Sequence, residues 1–166
     1  MNNLVYKEIQ KFHQIWIWVL LGLIIGLWAY GVYQQIFLGQ AWGSKPASNT
    51  FLLLMSIVPL TIFILLLVMR LETQINKEGV YFRFFPFHKK RRFVDWNDVS
   101  KAYVREYKPV KEYGGWGLRK GIKSGVAYNV SGKIGLQLEL KNGTRILIGT
   151  SHPKKMETFF KEFNKG

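Results

Sequence analysis

The sequence predicts a pair of membrane-crossing helices followed by a mainly β domain. That domain has about seven antiparallel strands, arranged as a small barrel or sandwich, and a C-terminal amphipathic helix closes it. Three observations lead there. Residues 15–33 and 51–69 each run 19 positions without a charged side chain. From residue 70 onward the pattern becomes short alternating segments separated by turn residues. Near the end, Met156, Phe159, Phe160 and Phe163 recur at helical spacing.

At about 1.5 Å per residue, each apolar run makes a helix of roughly 28 Å, close to the hydrocarbon thickness of a bilayer. Both are apolar around the whole circumference, unlike the helices of a soluble bundle. Trp16 and Trp18 lie at one end of the first run and Trp28, Tyr30 and Tyr33 toward the other, as interfacial aromatics do. Two buried core helices are the rival reading, but 166 residues supply too little structure to hide them. A cleaved signal peptide is the rival for the first run. Its apolar core would be about 7–15 residues, shorter than this run. Gly22 and Gly26 would let another helix approach closely, and Pro59 is expected to kink the second helix. Neither run holds an ionisable group, so an ion-coupling site at depth has no support.

Charge sets the expected orientation. The chain carries 24 Lys and Arg against 10 Asp and Glu, a formal charge of +14, and residues 70–166 hold +12 of it. Lys7 and Lys11 precede the first run, and Arg70, Lys77, Arg83 and Lys89 follow the second, whereas the loop at 34–50 has only Lys45. The positive-inside rule then puts both termini in the cytoplasm, in a multi-pass protein of the cell membrane. The expected division is an anchor over 1–70 and a cytoplasmic domain over 71–166. The absence of cysteine excludes disulfides, Cys-based zinc sites, iron–sulfur clusters and cysteine nucleophiles.

Within the domain, strands are expected at 71–76 and 80–87, a third over 93–96 and 99–107 interrupted by an Asn97-Asp98 turn or bulge, then around 112–118 and at 125–130. The clearest strand follows: Ile134, Leu136, Leu138 and Leu140 alternate with Gly135, Gln137 and Glu139. Asn142-Gly143 then turns the chain back into 144–150. Ser151 or His152 can cap the last helix, with Pro153 in its first turn.

The strand order with a terminal helix is similar to the pleckstrin-homology (PH) superfold. The stretches Glu78-Gly79-Val80, Phe85-Pro86-Phe87, Trp96-Asn97-Asp98-Val99, Tyr113-Gly114-Gly115-Trp116-Gly117 and Ala127-Tyr128-Asn129-Val130-Ser131-Gly132 carry a resemblance to bacterial membrane proteins with a PH-like domain after two helices. That group is mostly uncharacterised, so the resemblance implies a fold and a place more than an activity. The basic hairpin-loop site of phosphoinositide-binding PH domains does not carry over, because the corresponding turn here is the short, mixed Lys77-Glu78-Gly79.

The sharpest local feature is His88-Lys89-Lys90-Arg91-Arg92, about twenty residues after the second apolar run. Near an anionic leaflet each such charge contributes on the order of 1 kcal/mol. Lys89, Lys90, Arg91 and Arg92 are therefore the first candidates for contact with acidic phospholipid headgroups, and Arg119, Lys120 and Lys123 the second. The competing reading is a solvated loop that only enforces topology. The Gly-rich run at 113–121 matches neither a Walker A nor a dinucleotide fingerprint, and most often such glycines serve strand bends. His13, His88 and His152 show no metal-ligand spacing, and no serine sits in a nucleophile elbow, so neither a catalytic residue nor a metal or other cofactor is expected. Nucleic acid is disfavoured because the aromatics at 81–87 fall on both strand faces. The expectation is a non-enzymatic membrane protein whose basic domain meets acidic lipid or a protein partner. The alternative is a small accessory subunit of a membrane enzyme or transport complex, with the domain docking on a partner.

Overall fold

A computed structural model describes residues 5–122 and 124–163. It divides the chain into two compact units: one of residues 13–68, and a β-rich unit formed by the stretches on either side of it.

The unit of residues 13–68 contains α1 (Ile15–Val32), continued by a wider helical turn at Tyr33–Phe37, and α2 (Asn49–Val68). Both helices are long and apolar enough to cross a membrane, and most of their side chains are exposed. Helix α2 runs unbroken through Pro59. The hairpin is held by specific contacts. Trp28 Nε1 donates to Ser56 Oγ at 2.9 Å, which in turn donates to the Leu52 carbonyl. Trp18 meets Phe63 edge-on. Gly31 lies so close to the Trp42 ring that a Cβ would stand 2.5 Å from it, while Gly22 and Gly26 face open space.

The β-rich unit begins with a strand ahead of the helices. Strand β1 (Tyr6–Lys11) pairs antiparallel with β2 (Arg70–Ile75), in register from Tyr6↔Ile75 to Lys11↔Arg70. Strands β3 (Gly79–Phe85) and β4 (Arg92–Asp95) complete a sheet of order β1-β2-β3-β4. The helical hairpin is therefore an insertion in the turn between β1 and β2. The anchor expected over 1–70 is corrected accordingly, because Tyr6–Lys11 folds with the domain rather than with the helices.

The second sheet contains β5 (Val99–Glu106), β6 (Gly117–Gly121), β7 (Gly125–Asn129), β8 (Ile134–Leu140) and β9 (Arg145–Gly149), in the order β5-β8-β9-β7-β6. The expected seven antiparallel strands become nine among the described residues, and β7 runs parallel to β9. The two sheets do not close into a barrel. The strand expected around 112–118 is also corrected. Pro109–Tyr113 forms the short helix α3, because Pro109 fits a first helical position and the Glu112 carboxylate accepts the Lys108 backbone N–H at 2.7 Å. Gly114 ends α3 at φ +73°, Gly115 follows at +127°, and the strand starts only at Gly117.

Leu71, Ile75, Val80, Phe82 and Phe84 from the first sheet and Leu136, Leu138 and Ile148 from the second form a buried core. Phe82 meets Tyr128 across the sheets at 4.8 Å between ring centroids. Helix α4 (Pro153–Phe163) buries Met156, Phe159 and Phe160, with Phe159 on Tyr6 and Phe160 on Trp96. The opposite face of the second sheet buries a separate cluster of Tyr107, Tyr113, Ala127 and Leu147.

Candidate functional site

The basic loop lies between β3 and β4. Lys89 and Lys90 are exposed and have no ion pair among the described residues. Arg91 turns toward Glu72, with Nη2 3.5 Å from Oε2. Arg92, the first residue of β4, donates from Nη1 to the Tyr128 hydroxyl at 3.0 Å. The four cations are thus not one patch: two are free in the loop and two are drawn to protein partners. His88 packs beside Tyr128, and burial, then the Arg92 charge, holds its imidazole below the usual histidine range.

Arg119 and Lys120 lie exposed on β6, in the other sheet, and Arg119 Nε donates to the Trp116 carbonyl at 3.1 Å. Lys123 lies outside the described residues. The Gly-rich run that precedes them is structural. Trp116 Nε1 donates to the Gly132 carbonyl, and Gly117 N donates to the buried Asn129 side chain.

The structure adds a cluster that the sequence did not mark. Arg70, Glu72 and Arg83 share the outer face of the first sheet. Glu72 Oε1 accepts from Arg70 Nε at 2.8 Å and from Arg83 Nη2 at 2.7 Å. Burial alone would raise the pKa of this carboxyl, but the hydrogen bonds and charges of Arg83 and Arg70 overcome that and hold it below the usual range. Arg70 also covers the Phe85 ring at 5.1 Å. Each of these residues reads in the sequence as an isolated polar position on a strand. Only the β2–β3 register, which pairs Glu72 with Arg83, brings them together.

A second polar cluster lies on the inner face. The buried Glu8 carboxylate accepts from Tyr6 Oη at 2.5 Å, Thr150 Oγ1 at 2.8 Å and Ser151 N at 2.7 Å, and meets His152 Nδ1 at 3.2 Å. Gln10 Nε2 donates to the Gly149 carbonyl at 2.7 Å. Burial, reinforced by Glu8, holds the Tyr6 hydroxyl well above the ordinary tyrosine range, so it remains a donor. This arrangement fastens β1 to the start of α4. The buried Tyr107 hydroxyl, pushed up to about 12 chiefly by burial, likewise stays protonated. Among the described residues, no three His, Cys, Asp or Glu side chains converge as metal ligands.

Exposed cations lie at Lys89 and Lys90 in the β3–β4 loop and at Arg119 and Lys120 on β6. No curated protein matches the chain. The family model that does match, described as a family of unknown function (DUF6141), spans residues 1–161, and the chain belongs to that family.

Proposed function

We propose that this is a non-enzymatic integral membrane protein. In this reading α1 and α2 cross the cell membrane, and the β-rich unit presents cations to acidic phospholipid at the cytoplasmic face. The observation that carries it is the β1–β2 pairing on either side of the helical hairpin. Two apolar helices inserted between paired strands leave the chain on the side from which they entered, and Lys7, Lys11 and Arg70 then share that side, as the positive-inside rule favours. Two packed sheets with a terminal helix support the PH-like resemblance, and the parallel β7–β9 pair is a departure from it.

The test is purification of the full chain from membranes in mild detergent, followed by native mass spectrometry and analysis of the lipid retained. The reading expects extraction only by detergent and enrichment of anionic phospholipid over phosphatidylcholine. Release by alkaline washing would contradict it.

The accessory-subunit reading draws on a different surface. Val110, 63% exposed, and Ile122, fully exposed, flank a cleft that Tyr113, Lys120 and Ser124 also line. A protein co-purifying in fixed ratio, and lost when Val110 and Ile122 become Ser, would favour it.

A further inference from the structure

We propose that the outer face of the four-stranded sheet, rather than the β3–β4 loop alone, is a docking surface for the anionic phospholipid headgroups of the bilayer. This rests on the membrane reading above and gives it a site.

The strand register orders the charges on this face. The first row pairs Lys11 with Arg70, the next places Glu72 beside Arg83, with Arg91 reaching in, and the third carries Lys7. Five cations therefore surround one carboxylate. Lys7 and Lys11 have no ion pair among the described residues. On Glu72, Arg70 engages Nε and Arg83 engages Nη2, which leaves further guanidinium N–H groups to donate to phosphate oxygens. The carboxylates Glu78 and Asp95 fall at the opposite end of the strands, where Gly79 pairs with Asp95. At about 3.4 Å per residue, the face runs from cationic to acidic over roughly 20 Å.

The cationic end is the end nearest the helices along the chain. Lys11 comes four residues before Ile15, and Arg70 two residues after Val68. Even fully extended, such links reach only about 14 Å and 7 Å. A tether that short raises the effective concentration of headgroups over that of any soluble acidic partner. Ile9, 65% exposed among these cations, is an apolar side chain suited to the headgroup boundary.

The test compares full-length protein in nanodiscs of phosphatidylcholine alone and with added phosphatidylglycerol. Anionic-lipid retention is measured for the native chain, for a Lys7→Gln/Lys11→Gln variant and for a Lys89→Gln/Lys90→Gln variant. In parallel, Ile9→Cys, a single cysteine in a chain with none, carries an environment-sensitive fluorophore, with Lys141→Cys as a reference. The proposal expects the Lys7/Lys11 variant to lose about tenfold in phosphatidylglycerol retention, and the Ile9 label alone to shift blue with anionic lipid. If the native chain prefers phosphatidylglycerol but only the Lys89/Lys90 variant loses it, the sheet face is overturned while the lipid reading stands. If the native chain shows no preference, the lipid reading itself falls. Retention of soluble polyglutamate through Lys7 and Lys11, without any lipid preference, would make the occupant an acidic protein and overturn the proposal.

Discussion

Glu8 shows how much one side chain can organise. Its carboxylate takes Tyr6, Thr150 and Ser151 as donors in a buried setting, so removing it takes the acceptor from Ser151 N and leaves the Tyr6 and Thr150 hydroxyls only each other to donate to. Glu8→Ala is expected to cost about 3 kcal/mol in denaturant unfolding, with Glu8→Gln recovering part of that. Glu72 makes a pH prediction. Its folded pKa is lowered, so the unfolded chain binds its proton more readily. The stability it contributes is present above the ordinary glutamate range and lost as pH falls through and below it. The unfolding free energy measured from neutral to acid pH should therefore decline less steeply in Glu72→Gln than in the native chain. Gly125 is constrained differently. Its φ is +81°, and a Cβ would stand 2.1 Å from the Arg145 carbonyl oxygen. Gly125→Ala should destabilise by about 2 kcal/mol or more, since both the backbone and the parallel β7–β9 contact would have to shift.

Among the elements, β1 carries the most consequence and was the least legible. A half-buried strand is recognised by apolar residues facing inward, but β1 buries Tyr6, Glu8 and Gln10 and exposes Lys7, Ile9 and Lys11. Its inward polar groups are satisfied by residues more than a hundred positions away, a pairing that no local pattern encodes. The apolar helices, the Ile134–Leu140 strand and the Asn142-Gly143 turn were readable because their signals are local. Helix α3 was not, because the glycines after Tyr113 obscured the signal that Pro109 and Glu112 give. Of the candidate site, the loop lysines were legible as a charge run, whereas the Arg70–Glu72–Arg83 cluster exists only through the strand register. This sheet order makes a prediction. Replacing residues 13–68 with an Asn-Gly turn should yield a folded, water-soluble β unit, since Phe12 and Met69 adjoin the paired strand ends Lys11 and Arg70. A fragment beginning at Leu71 should aggregate, because β2 would become a bare edge. Circular dichroism and size-exclusion chromatography of the two shortened chains compare them directly.

For the whole molecule, the insertion of α1 and α2 between paired strands means that two chain connections hold the β unit instead of one flexible linker. In the proposed membrane reading, a doubly tethered unit would lose little orientational freedom on meeting headgroups, so modest charge contacts would suffice to bind it. The membrane path of the hairpin is the central claim, and substituted-cysteine labelling tests it most directly because the native chain has no cysteine. In intact cells, a membrane-impermeant maleimide should label Ser44→Cys in the helix-to-helix loop and leave Lys7→Cys and Lys141→Cys unlabelled until the membrane is opened. Labelling of Lys7→Cys or Lys141→Cys in sealed cells, or equal protection of all three sites, would contradict the account.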